Sequence, residues 1–216
     1  MKINYITTFI RILITYVLVL HSFSSSAEPI QNTLKIATFD VDATPPIGSS
    51  LTYDPMVNNW DLGLRAKGIV ILGSGQPIVM CSVDWIGISN DSQDEFKRIM
   101  AEAAGTIPSR VVVHAIHQHD APASDLGAEK LLLKAGLNPI AFEGTYTRDL
   151  IKRLGLAISK SISTAVPLTH IGKGEAPVYQ VASNRRILGP DGKAKASRTS
   201  ATRDAALRAE PEGLID

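Results

Sequence analysis

The stretch from residue 76 to residue 119 constrains this chain more than any other, because it sets a β-rich run, an amphipathic helix and a second β-rich run in direct succession. In DSQDEFKRIMAEAAG, the apolar residues Phe96, Ile99, Met100, Ala103 and Ala104 recur at helical spacing. Ser92 and Glu95 have the spacing of a capping box, and Gly105 supplies a stop. QPIVMCSVDW before it and RVVVHAIHQH after it are rich in β-branched residues and read as strands. Two further runs, LKIATFDVD at 34–42 and AKGIVILGS at 66–74, also read as strands, the latter turning at Ser74 and Gly75 into the run at 76–85. A second helix fits about Thr147 to Ala165, with Leu150, Ile151, Leu154, Ile158 and Ile162 on one face and Val166-Pro167 ending it. The expected fold class is therefore α/β: a mixed β-sheet with flanking helices.

The first residues stand apart from that fold. Lys2 and Arg11 precede an apolar run from Ile12 to Leu20, followed by small residues up to Ala27, the pattern of a secretory signal cleaved near Ala27. The apolar run is too short to cross a hydrocarbon core of roughly 30 Å. The expectation is an exported chain, periplasmic or secreted, whose mature domain spans 28–216. Setting aside Lys2 and Arg11 leaves 20 basic against 21 acidic residues, so no concentrated basic character points to nucleic acid. Cys81 is the single cysteine, which excludes an internal disulfide and a cysteine-based metal site, and its apolar setting predicts a buried free thiol. From Leu188 to Asp216 the sequence turns polar without paired apolar periodicity and is expected to form an extended arm; 123–145 reads as a variable loop with a short helix.

Chemistry concentrates in VVVHAIHQHDAP, 111–122. In a continued strand, side chains at i and i+2 face the same way with Cα atoms roughly 6.5 to 7 Å apart, so His117 and His119 are expected to project together and His114 to the other face. Imidazole is the usual nitrogen ligand for zinc, and Asp120 adjoins the pair as a ligand or as an acceptor that orients a ring. A catalytic zinc takes three protein ligands and an open position, and the pair supplies two at most. Asp40, Asp42 and Asp84 near strand ends are the internal candidates for the remainder, although Asp42 also reads as an ordinary turn residue and Asp84 as a hydrogen-bonded strand-end carboxylate. Asn184, Arg185 and Arg186 follow the strand-like PVYQVAS, where a guanidinium could hold a carboxylate or a substrate carbonyl or simply be solvated.

Taken in order, DVDATPPIG, CSVDWIGI, AIHQHDAP and VASNRRILGPDG resemble the neutral/alkaline non-lysosomal ceramidase family, particularly its shorter bacterial relatives, from about residue 34 onward. The resemblance implies a zinc-dependent hydrolase of N-acylsphingosine amides. By motif position, it implies His117 as zinc ligand, His119 at the scissile amide and Arg185 as the substrate arginine, a match that Asn184 anchors; Asn184 and Asp120, which adjoin these residues, are the expected substrate contacts. Asp120 and Ala121 stand where the family has serine and glycine, a departure that bears on substrate specificity. The family's later ligands, a histidine, a glutamate and a tyrosine, lie beyond its Asn-Arg segment, and no histidine follows His170 here. The resemblance thus implies the amino-terminal part of a longer catalytic domain. It also implies a lipid amide substrate, with transient contact at a membrane surface. The alternatives are a non-catalytic exported module that binds a ligand or metal, and a hydrolase of another amide or ester.

Overall fold

A computed structural model of the chain describes residues 34–59, 61–73, 75–177, 185–199 and 201–209. The described residues fall into two units divided after Thr169. The signal-like segment and Asn184 lie outside the described residues.

The first unit opens with β1 (Lys35–Asp42), β2 (Arg65–Leu72) and β3 (Ile78–Val83). β1 and β2 pair antiparallel from Lys35↔Leu72 to Asp42↔Arg65, and β2 pairs antiparallel with β3. The turn between β2 and β3 is made with left-handed Gly73 and Gly75, a conformation that glycine adopts without steric penalty. β4 (Gly87–Ile88) precedes helix α1 (Asn90–Ala104), and β5 (Val111–Ala115) then returns parallel to β3. β6 (Ala123–Ser124) pairs with β4, and helices α2 (Leu126–Lys134) and α3 (Thr145–Ile162) follow. β7 (Val166–Pro167) closes the five-stranded sheet, whose order is β5-β3-β2-β1-β7. The fold is the expected α/β class with a mixed sheet.

Alternation in the strands fixes which face is covered. Ala37, Phe39 and Val41 of β1 are buried while Thr38, Asp40 and Asp42 are exposed, and Val111 and Val113 of β5 are buried while Val112 and His114 are exposed. Phe96, Met100, Ala101 and Ala104 of α1 join Leu150, Ile151, Leu154 and Ile158 of α3 in one cluster over the buried strand face. Gly68 is required where β2 passes Phe39: an added Cβ would lie 2.3 Å from the Phe39 ring and 2.3 Å from the Met80 carbonyl oxygen.

Two local expectations change. Helix α1 starts at Asn90 with Ser89 as N-cap, so Ser92 lies inside the helix and Ser92 with Glu95 is not a capping box. Ser92 is instead fully buried and its hydroxyl bonds Ser124 Oγ at 2.8 Å. Gly105 does terminate the helix, at φ 66°.

The second unit is described on its own. Within it, β8 (Arg186–Leu188) and β9 (Ala194–Ser197) form a hairpin, followed by the short helix α4 (Ala205–Ala209). Ile187 and Arg198 are buried there, and Arg198 Nη1 donates to the Leu207 carbonyl at 2.7 Å. Among the described residues, no helix is long and apolar enough to cross a membrane.

Candidate functional site

β5 ends at Ala115, two residues before the first histidine of the pair. The backbone keeps its course a little further, since Ile116 N–H donates to the Val83 carbonyl at 3.1 Å and His117 N–H to the Trp85 carbonyl at 3.1 Å. At His117 it then leaves the ladder with φ 65°. That left-handed conformation is uncommon for a residue with a side chain, and its cost is of order 1–3 kcal/mol. Beyond it, the ring of His119 comes back against that of His117, centroids 5.2 Å apart and planes at 75°. The two rings do stand together, but a left-handed turn and not the pleat of a strand brings them there. His114 remains in the ladder opposite Ser82, exposed on the uncovered sheet face.

The partners of the two rings differ. His117 Nδ1 lies 2.9 Å from the Ile86 carbonyl oxygen. A carbonyl only accepts, so Nδ1 carries the proton and the neutral ring keeps its lone pair at Nε2. His119 Nδ1 lies 3.4 Å from the Tyr53 hydroxyl, with the two rings edge to face at 5.4 Å. Both imidazoles are exposed. Asp120 is exposed as well, and its backbone N–H donates to the Gln118 side-chain oxygen, which tightens the turn that carries the pair.

Three segments hold this turn. Thr52 donates to the Ala121 carbonyl through both N–H, at 3.1 Å, and Oγ1, at 2.9 Å, which pins loop 44–55 against it. On the other side Ile86 N–H donates to the Pro122 carbonyl at 3.2 Å. Beneath lies Trp85, buried edge to face on Phe96, its indole N–H bonded to the Ala43 carbonyl at 3.0 Å. Tyr53 and Thr52 were not legible as site residues: TPPIGSSLTYDP carries turn signals and no periodicity, and only the fold sets it beside a segment nearly seventy residues away.

A cleft of about 650 Å³ opens beside the pair, between loop 45–55 and residues 140–147, and Tyr53 is a shared wall. Its far side is fixed by α2, whose Glu129 is buried, ion-paired with Arg148, and accepts from Gly144 N–H at 2.7 Å. The hydrogen bond from Arg148 holds the Glu129 carboxyl below its usual range, against the opposing effect of burial. Tyr146, on the cleft wall, has its phenol pushed up by burial and receives a hydrogen bond from Arg153 at 3.2 Å.

The remaining candidates have structural occupations. Asp40 pairs with Arg65 at 2.8 Å and Lys67 at 3.7 Å. Asp42 accepts from Thr44 N–H at 2.9 Å, the turn role expected of it. Asp84 accepts from Arg65 N–H at 2.9 Å, the hydrogen-bonded carboxylate expected at a strand end. Among the described residues, no group of three or more His, Cys, Asp or Glu side chains is placed to hold a metal ion. Arg185 belongs to the second unit, where it is exposed and its carbonyl accepts from Arg198 N–H at 2.9 Å.

No protein family and no curated protein sequence matches the chain. Among solved structures it is similar to the neutral ceramidase from Pseudomonas aeruginosa, with a TM-score of 0.48 and 15% identity over 62% of this chain and 22% of that one. It is also similar to a ceramidase complexed with C2, with a TM-score of 0.44 and 14% identity over 62% of this chain and 22% of the other. The chain thus spans about a fifth of the length of these structures. A likeness of that degree carries no statement about chemistry, which has to rest on the residues.

Proposed function

We propose that this chain contributes the histidine part of a zinc-dependent hydrolase of amides, with N-acylsphingosine-type lipids as the substrate class implied by its motifs. The observation that carries the reading is the pair itself: two solvent-exposed imidazoles 5.2 Å apart, one of them with Nδ1 committed to the Ile86 carbonyl and Nε2 left with its lone pair. A neutral imidazole with an outer acceptor on its other nitrogen is the form in which histidine binds a divalent metal. His117 fits that requirement. Zinc catalysis takes three protein ligands, so the reading requires donors beyond the pair.

When bound, zinc polarises a carbonyl and lowers the pKa of its water to about 7. The chain's own groups orient the substrate. With the Tyr53 hydroxyl donating to Nδ1 of His119, Nε2 carries the proton and can donate to the amide oxygen as negative charge develops on it. In this reading Arg185 binds the substrate carbonyl by motif position, and Asn184 and Asp120, which adjoin Arg185 and His119 in sequence, contact the substrate. Water cleaves the C–N bond, its oxygen going to the acyl carbon and its protons to the nitrogen, giving a carboxylate and an ammonium. A lipid substrate brings transient contact with a membrane surface. The basic, apolar and small-residue succession in residues 1–27 supports export, which fractionation of cells expressing the full chain would test.

Zinc stoichiometry of the purified chain, with and without His117→Ala, tests the assignment alongside turnover of a panel of N-acyl substrates that includes ceramide. Stoichiometric zinc lost in the variant is expected; unchanged zinc content in it would remove His117 from the site. The lack of a third donor group among the described residues favours a second reading, an exported module that binds without catalysis. A chain that binds no zinc and turns over none of the panel would favour that reading.

A further inference from the structure

Helix α2 is inverted: its one buried residue is Glu129, and its leucines face outward. Leu131 is 69% exposed and Leu133 58%, and beyond the helix Leu137 is 57% and Ile140 69% exposed. Positions 131 and 133 lie about 200° apart around a helix, so a body packed against one side would cover one of them. Both are exposed, and the end of α2 therefore stands clear of the domain.

The projection is rigid at its base and closed at its tip. Asp125 caps the first turn by accepting from Ala128 N–H at 2.9 Å, and Glu129 pairs with Arg148 and accepts from Gly144 N–H at 2.7 Å. At the other end Leu137 N–H donates to the Leu132 carbonyl at 2.9 Å and Gly136 N–H to the Leu133 carbonyl at 3.0 Å. These bonds satisfy carbonyls that a helix end otherwise leaves to water, so the tip can enter a poorly hydrated medium without stranding them.

Its exposed charge has one sign. Between 126 and 142 Glu129 is the single acidic residue, buried and ion-paired, whereas Lys130 and Lys134 are exposed. Glu143, next along, is held at the start of α3, where it accepts from Thr145 N–H at 3.0 Å. Ile140 belongs at once to the projection and to the wall of the cleft beside the histidine pair, facing loop 45–55, where Ile47 is 62% exposed.

We infer that residues 130–140 are a lipid-contact element that inserts Leu131, Leu133 and Leu137 into a bilayer surface and sets Lys130 and Lys134 at anionic headgroups. A projecting apolar tip needs a recess in a protein partner, whereas a bilayer offers apolar depth to any shape and a negative surface to the lysines. The inference deepens the amide-hydrolase reading and takes from it only the reason for such contact: the element adjoins the cleft mouth, so docking there brings the histidine pair to the surface in which a lipid amide lies.

The test places an environment-sensitive dye on the full chain at Leu137→Cys, labelled in the folded state, in which Cys81 is buried. A control carries the dye at Leu156→Cys, an exposed position on α3. Each is titrated with vesicles of phosphatidylcholine and of phosphatidylcholine with phosphatidylserine. The dye at 137 should shift to the blue, more tightly with phosphatidylserine, and the dye at 156 should not respond. Lys130→Gln with Lys134→Gln should weaken binding to the anionic vesicles about fivefold for each lysine. Leu131→Gln with Leu133→Gln should weaken it about tenfold or more, with the thermal midpoint unchanged because these side chains are exposed. No shift at 137, an equal shift at 156, as insertion through the apolar run at 12–20 would give, or equal binding to both vesicles would overturn the inference. So would a lipid-independent shift that grows with protein concentration, the mark of a second copy on the leucines. The vesicles contain no amide lipid and no zinc is added, so failure here leaves the role of His117 standing, and zinc retained by His117→Ala leaves this result standing.

Discussion

His117 Nδ1 lies 2.9 Å from the carbonyl oxygen of Ile86, a bond that crosses from the histidine turn to the segment leading into β4. It orients the ring and selects the tautomer with the proton on Nδ1. The residue adopts φ 65° to make it. Geometry that costs stability and presents a reactive nitrogen to solvent is a pattern found at functional positions.

That cost is measurable. His117→Gly removes the left-handed strain together with the ring, whereas His117→Ala keeps the strain. The glycine variant should be the more stable of the two by about 1 kcal/mol in urea unfolding. Both should lose zinc affinity by tenfold or more, because each lacks the imidazole. Equal stability of the two would show that the turn is not held in the left-handed region in solution.

Glu129 gives the fold a pH dependence. Its folded-state pKa is lowered from 4.5, chiefly by the bond from Arg148. The stabilisation is therefore fully present above the unfolded value and is lost as pH falls through the folded one. Urea midpoints should fall from about pH 5 downward. Glu129→Gln should flatten that part of the profile, and Glu129→Ala, which strands the Gly144 N–H, should cost about 1–3 kcal/mol at neutral pH. An unchanged profile in the glutamine variant would assign the acid sensitivity to other carboxylates.

Gly68→Ala places a methyl group against the Phe39 ring and the Met80 carbonyl at distances no packed atom tolerates. Since the carbonyl is backbone of the neighbouring strand, relief requires the sheet to shift. A loss of about 1–3 kcal/mol is expected in chemical denaturation. Wild-type stability in this variant would show that β2 does not pass Phe39 as described.

Cys81 is buried in β3, with its thiol pushed up to about 12 by burial. At pH 8 the folded chain should react with a disulfide reagent only as fast as it opens, while the urea-unfolded chain reacts at the rate of a free thiol. Rapid labelling of the folded chain would mean that the covered sheet face opens readily.

Much of this fold was legible locally. The strands at 35–42, 65–72 and 78–83 and the helices at 90–104 and 145–162 follow from β-branched runs and helical apolar spacing, because burial of one face dictates both patterns. The turn at Asp42, the stop at Gly105 and the buried state of Cys81 were equally readable. Ser92 shows the limit: its spacing to Glu95 matches a cap, yet the hydroxyl is drawn inward to Ser124, a partner thirty-two residues away.

Sequence alone, then, predicted that His117 and His119 stand together at the end of a strand, since one residue separates them and the run before them is rich in β-branched residues. Only the tertiary structure decided how they meet. A single left-handed residue has no signature in residue type when a histidine occupies it, and it is held there by carbonyls from Trp85 and Ile86. The same holds for Tyr53, Thr52 and the cleft beside them. Their neighbours come from distant points in the chain, and a contact across such a separation is set by how sheet and helices pack, not by any local preference of the residues that make it.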